Sequence, residues 1–142
     1  MNKFQESLKE LLDDNKISRL QLAKNIGIDY STINGYFNKN YYPHLDIAIK
    51  IANYFECSLD YLFGLSFNKE NENTNNLSFF ETLNLLINDS KHSLRQIFKD
   101  MKISLANYFR WRDGIIPKTS VILDIAKYFN VGIDYLVGNK KD

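Results

Sequence analysis

A short stretch of the sequence carries side chains that can exchange hydrogen bonds with the edges of nucleic-acid bases. At helical spacing its small or polar residues share one face, which comprises Tyr30, Ser31, Thr32, Asn34, Gly35 and Asn38. Hydroxyl and amide groups both donate and accept hydrogen bonds, and small side chains keep a helix slim enough to enter a major groove. A helix face of this kind can therefore enter a major groove.

The residue types give little support to other chemistry. Cys57 is the single cysteine, which precludes an internal disulfide, and the two histidines, His44 and His92, form no Cys/His cluster with zinc-site spacing. No spacing assembles a nucleophile, a base and an orienting acid. We therefore expect no enzymatic activity, no cofactor and no metal.

Two short helices are predicted around this polar face. Ser18 and Gln21 have the spacing of a capping box, and Gly27 can adopt the left-handed conformation that ends a helix. A second helix follows over residues 30–38, with Asp29 as its cap. Helices joined this tightly must cross steeply.

The inward face of this helix pair is apolar. Ala23 falls where the two backbones come closest. The other residues spaced to point into the domain are Leu22, Ile26, Ile28, Ile33 and Tyr36.

The chain also repeats itself. Matching apolar residues recur 75 positions apart near the starts of two units, and 74 apart near their ends, where IANYFECSLDYLFG faces IAKYFNVGIDYLVG. Residues 68–77 between them, NKENENTNNL, have the composition of a linker. The sequence therefore predicts an all-α protein with two tandem five-helix domains, 1–67 and 78–142, joined by a short Asn-rich linker.

Further signals mark helix starts in both units. Ser78 with Glu81 and Ser93 with Gln96 have the form of capping boxes, and Ser58 is placed to cap a last short helix. Proline lacks the amide hydrogen that a first turn leaves unused, so we expect Pro43 and Pro117 in the first turn of each fourth helix.

These residues resemble the Cro/C1 or Xre-type helix-turn-helix domains of phage repressors and their bacterial relatives. The resemblance rests on ISRLQLAKNIGIDYSTINGYF, residues 17–37, and on the two unit endings, and it covers about nine tenths of the chain. It implies a λ-repressor-like fold and a DNA-binding transcription regulator, usually a repressor and often a homodimer. The third helix of each domain would enter the major groove.

The resemblance also implies roles by position. Arg19 and Asn38 would contact phosphates. The base-facing residues would be Tyr30, Ser31 and Gly35, flanked by Thr32 and Asn34.

The second unit departs from the family pattern at three positions. Phe98 stands where Ala23 stands in the first unit, and a phenyl ring there must force a repacking or a wider crossing angle. Lys102 replaces the turn glycine, at a cost of about 1 kcal/mol for a left-handed non-glycine residue. Leu94 replaces Arg19. The third helix still offers candidate contacts by position: Leu105, Ala106, Asn107 and Arg110.

Charge is shared unequally between the units. Residues 1–67 carry a net charge of −1 and residues 78–142 a net charge of +3, so the unit that better matches the family has the weaker attraction for a polyanion. The candidate DNA-binding cations are Arg19, Lys39, Arg95, Arg110, Arg112 and Lys118. Arg110 is the best candidate for reading a base, because a guanidinium can donate two parallel bonds to guanine.

Two alternatives stay open at this stage. The second unit can be a dimerisation or protein-docking module. The whole chain can be a protein-binding antirepressor or inhibitor that keeps the fold without reading DNA, which the net charge of +1 and the helix-weakening Gly35 favour. The chain has no run of eighteen apolar residues, and its first ten residues include the charged Lys3, Glu6, Lys9 and Glu10, so we expect a cytoplasmic protein with no membrane partner.

Overall fold

The computed structural model describes residues 1–39, 42–70 and 75–138. Within those ranges the chain forms ten helices and no strand, and it divides into two compact units, one on each side of residues 71–74. The predicted all-helical fold is confirmed for the described residues. Residues 71–74 of the predicted linker and 139–142 of the predicted second domain lie outside them.

The first unit consists of five short helices around one core. They are α1 (Lys3–Asp14), α2 (Arg19–Ile26), α3 (Tyr30–Asn38), α4 (Leu45–Tyr54) and α5 (Leu59–Leu62). Each helix contributes a side chain that is fully excluded from solvent: Leu8, Leu22, Ile33, Ile51 and Leu62. The core is therefore assembled from apolar positions at helical spacing on all five elements.

The second unit has the same helix order. Its helices are α6 (Phe79–Asp89), α7 (Leu94–Asp100), α8 (Leu105–Arg112), α9 (Thr119–Phe129) and α10 (Ile133–Val137). Its core again draws on every helix, through Leu83, Ile97, Trp111, Ile122 and Leu136. Within the described ranges each unit therefore contains five helices, the number that the sequence predicts.

Most of the predicted helix starts are present. Ser18 and Ser78 each form a complete capping box, and the Ser58 hydroxyl accepts a hydrogen bond from the Tyr61 amide. Ser93 accepts from the Gln96 amide, but the Gln96 side chain donates to Asp100 one turn later instead of returning to the cap. The second half of that predicted box is therefore wrong.

Three other predicted helix starts differ from the prediction, one in its hydrogen bond and two in position. Asp29 occupies the N-cap of α3, yet its side chain makes no capping hydrogen bond. Pro43 and Pro117 each precede the N-cap residue of the following helix, so they lie just outside α4 and α9 rather than in their first turns. A proline at that place still costs nothing, because the helix does not use its amide.

The described ends of the predicted linker are held by hydrogen bonds. The Ser58 amide donates to the Lys69 carbonyl oxygen over 2.7 Å in the first unit. In the second unit the Asn75 side chain donates to the Tyr135 carbonyl oxygen over 3.0 Å. Residues near each end of the Asn-rich segment therefore belong to the adjacent unit's own hydrogen-bond network.

Candidate nucleic-acid interface

A tight turn at Gly27 sets the angle between α2 and α3. Gly27 adopts φ 72° and ψ 35°, and the next amide, that of Ile28, donates to the Ala23 carbonyl oxygen over 2.9 Å. A Cβ at Gly27 would meet nothing within 4 Å, so glycine is favoured there by its conformation and not by lack of space. Ala23 is 2% exposed at this crossing, as its small size predicted.

The helix that follows the turn has two different sides. Ile33 and Tyr36 are buried, and the Tyr36 ring packs edge-on against Phe4 with ring centroids 5.6 Å apart. On the other side Tyr30 is 46% exposed and Ser31 is also exposed. The buried side anchors α3 to the unit and leaves the polar side free for a ligand.

The remaining predicted residues of this face differ in exposure. Asn38 and Lys39 at the end of α3 are exposed, whereas Thr32, Asn34 and Gly35 are half-buried. The Lys39 side chain has no ion-pair or hydrogen-bond partner among the described residues. All five residues therefore keep some surface with which to contact a ligand.

Arg19 at the start of α2 is half-buried and reaches across to α3. Its Nη1 donates to Asn34 Oδ1 over 2.6 Å, and its Cζ lies 3.9 Å from the centroid of the Phe37 ring. Asn34 and Phe37 are three positions apart, so they share a helix face. The sequence pattern suggested neither contact for Arg19, and Phe37 was not among the predicted site residues.

Gln5 is a second residue that the sequence reasoning missed. Although polar, it is 3% exposed, and its side-chain nitrogen donates to the carbonyl oxygens of Tyr36 and Lys39, where α3 ends. Its side-chain oxygen accepts from the Asn2 amide in a capping box at the start of α1. The Asn2-x-x-Gln5 spacing was the available signal for the box, but nothing local pointed to the bond with α3.

In the second unit Lys102 replaces the turn glycine and keeps the turn. Lys102 has φ 58°, and the Ile103 amide donates to the Phe98 carbonyl oxygen over 2.9 Å, the same length as in the first unit. The predicted left-handed lysine is confirmed. The tight turn between α7 and α8 therefore forms without glycine, at the cost of strain at one residue.

Phe98 is accommodated by an aromatic cluster. It is 3% exposed, and its ring centroid lies 5.9 Å from that of Tyr108 and 5.6 Å from that of Trp111. Trp111 also meets Phe79 edge-on at 5.7 Å. The large side chain at this crossing is therefore packed among aromatic rings, and the choice between a repacking and a wider crossing angle stays a prediction.

The outer face of α8 mixes cations with apolar groups. Arg110 is exposed and has no side-chain partner among the described residues, whereas Arg112 bonds Asp113 at 3.2 Å and lies 5.2 Å from the Phe109 ring centroid. Phe109 itself is 44% exposed. The other predicted contacts are exposed for Arg95, Ala106 and Lys118 and half-buried for Leu105 and Asn107.

The described residues carry neither a cluster of metal-ligating side chains nor a membrane-spanning helix. In residues 1–39, 42–70 and 75–138, no three His, Cys, Asp or Glu side chains gather as a metal site would require. Over the same ranges, no helix combines the length and the apolar character needed to cross a membrane.

Comparison with known proteins places the first unit in a family. The family described as Helix-turn-helix matches residues 8–62. An uncharacterized HTH-type transcriptional regulator of Rickettsia prowazekii (strain Madrid E) is 37% identical over 62 residues, which span 41% of this chain and 67% of the relative. Another, from Rickettsia conorii (strain ATCC VR-613 / Malish 7), is 37% identical over 62 residues and is covered over 57% of its length. No solved structure matches the chain. Taken with the turn at Gly27 and the two-sided α3, these likenesses show that the chain belongs to the helix-turn-helix family.

Proposed function

We propose that this chain is a sequence-specific regulator of transcription that binds double-stranded DNA with α3 of its first unit in the major groove. The main observation that supports this proposal is that α3 has two different sides. It buries Ile33 and Tyr36 and exposes Tyr30 and Ser31. Family membership and likeness to proteins named HTH-type transcriptional regulators support the same function. We expect it to act as a repressor, as the resemblance to phage repressors implies, and to do so in the cytoplasm.

We propose that the second unit is a divergent domain of the same kind and also contacts DNA. Its predicted range is 78–142, after a linker at 68–77. The common helix order and the common turn bond support this assignment. Exposed Arg110 and the net charge of +3 supply the attraction for phosphates that the first unit, at −1, lacks.

A specific observation favours a second function for this unit. Apolar side chains are exposed on α8 and just after it: Phe109 is 44% exposed, Ile115 57% and Ile116 55%. Large apolar side chains that are exposed in this way favour contact with another protein over contact with phosphates. In this alternative the second unit binds another protein or pairs two copies of the chain into a homodimer. If neither unit binds DNA, the chain as a whole is an antirepressor or inhibitor.

A salt titration followed by site selection tests the proposal. Binding to random duplex DNA should weaken with a log–log slope of about −0.9 for each phosphate contact, and selection should then yield a preferred site. An asymmetric site would support contact by both units, whereas a palindrome would favour a homodimer. Absence of binding to any duplex at low ionic strength would refute the function.

Matched charge substitutions test the assigned face. Ser31→Glu puts a carboxylate on the exposed side of α3, where it would oppose base edges and phosphates. Asn53→Glu makes the same charge change at an exposed position of α4 in the same unit. We expect Ser31→Glu to abolish specific binding and Asn53→Glu to preserve it; equal effects would remove α3 from the interface.

A further inference from the structure

The contact between Arg19 and Asn34 fixes which way the Asn34 amide is turned. A guanidinium carries donors only, so the group that faces it at 2.6 Å must be the amide oxygen, not the amide nitrogen. The Asn34 nitrogen, with its two donor hydrogens, is therefore directed away from Arg19. Among the described residues that nitrogen has no hydrogen-bond partner.

The Arg19 guanidinium is itself held in place. Its Cζ lies 3.9 Å from the centroid of the Phe37 ring, a distance at which a cation is attracted by the face of the ring. Stacking and hydrogen bonding together restrain a side chain that would otherwise sample many rotamers. Arg19 also remains partly exposed, and the hydrogen bond to Asn34 uses only part of its donor capacity.

We infer that Arg19, held by Phe37, is a positioning residue that makes Asn34 a donor toward one base, and that this base is guanine. The inference rests on the proposed function. An asparagine that reads adenine uses both its amide oxygen and its amide nitrogen. In this chain Arg19 already occupies the oxygen.

Electrostatics favour guanine for the same reason. The major-groove edge of guanine presents two acceptors, N7 and O6, whereas adenine presents one acceptor and one donor. The positive guanidinium beside the Asn34 oxygen disfavours a further donor there and favours an acceptor-rich edge. Asn34 thus contributes specificity, and Arg19 contributes to it through Asn34 as well as through charge.

The second unit lacks this arrangement. The positions that correspond to Arg19, Asn34 and Phe37 are Leu94, Phe109 and Arg112. There the cation lies on the same helix as the aromatic ring, 5.2 Å from its centroid, and it orients no amide among the residues that the structure describes. We therefore assign the donor arrangement to the first unit alone.

The test measures the affinity of each variant for a duplex that carries the selected site. It then measures the affinity of the same variant for a set of duplexes in which each base pair of that site is changed in turn. Asn34→Ala identifies the base pair that Asn34 contacts, because discrimination there should fall about 5- to 150-fold, the range of a good base contact. Arg19→Lys keeps the positive charge but loses the stacked planar donor group, so it should lose discrimination at that same pair while binding the other duplexes nearly as well. Phe37→Leu should act in the same direction with a smaller effect.

The double variant separates positioning from phosphate binding. If Arg19 acts through Asn34, adding Arg19→Lys to Asn34→Ala should cause no further loss of discrimination at that pair. Lys39→Ala, an exposed cation at the end of α3, serves as the control and should weaken binding equally on all duplexes. Far-ultraviolet circular dichroism of each variant confirms that the helices are intact.

The outcomes distinguish the two proposals. Equal weakening by Arg19→Lys at every base pair would overturn the positioning role and leave the DNA-binding function standing. A selected adenine, thymine or cytosine at the Asn34 position would overturn the choice of base. Absence of any preferred site for the wild-type chain would instead defeat the proposed function.

Discussion

The side chain of Gln5 donates a hydrogen bond to the backbone carbonyl oxygen of Lys39, 3.0 Å away. The same nitrogen donates to the carbonyl oxygen of Tyr36, so one buried amide joins the first turn of α1 to the last turn of α3. Carbonyl groups at the end of a helix have no partner within it. Gln5 therefore closes the end of the helix that we place in the major groove.

Replacing Gln5 should destabilise the first unit. Gln5→Leu keeps the volume of the side chain but leaves two carbonyl oxygens without their donor, and the expected loss is about 1–3 kcal/mol in the free energy of unfolding. Urea denaturation followed by circular dichroism measures it. Lys9→Ala, an exposed position on α1, is the control and should stay within about 0.5 kcal/mol of wild type. Equal stability of Gln5→Leu and wild type would contradict the capping role.

The aromatic cluster should make the second unit sensitive to Phe98. Phe98→Ala empties the space between Tyr108 and Trp111, and the expected cost is about 3–5 kcal/mol. Trp111 is the single tryptophan of the chain, so its emission reports unfolding of the second unit selectively. The emission transition should move to lower urea concentration. An unshifted transition would show that the cluster does not depend on Phe98.

The two turns allow a reciprocal experiment on backbone strain. Gly27→Ala puts a side chain at φ 72° where no atom lies within 4 Å of the new Cβ, so its expected cost of about 1 kcal/mol comes from conformation alone. Lys102→Gly removes the same strain at φ 58° and should stabilise the second unit by about 0.5–1 kcal/mol. Urea denaturation of both variants checks the opposite signs. Effects of the same sign would refute strain as the cause.

Features encoded over a few neighbouring residues were predictable from the sequence. The spacing of Leu22, Ile33 and Tyr36 identified the buried side of the helix pair, because helical periodicity places such residues on one face. Gly27 identified the turn, because few residues adopt positive φ at low cost. The exposed polar side of α3 follows from these two local facts.

Contacts between distant residues were not predictable in the same way. Gln5 meets Lys39 across 34 positions and Arg19 meets Asn34 across 15, and both contacts depend on how helices cross and which rotamers the packing allows. Asp29 shows the same limit at short range. Its position at the N-cap followed from the pattern, but the orientation of its side chain did not.

Arg110 provides the test of whether the second unit reads DNA. Its side chain is exposed on α8 and free of partners among the described residues, whereas that of Arg112 is engaged by Asp113. Arg110→Ala should weaken binding to the selected site by about 1–3 kcal/mol and relax preference at one base pair, because a bidentate contact to guanine is lost. Arg95→Ala removes an equal charge from an exposed position of α7 and should weaken binding to all duplexes alike. If Arg110→Ala binds both the selected and the scrambled duplex as tightly as wild type does, α8 is not part of the DNA-binding surface. The exposed Phe109 would then favour a protein partner for this unit.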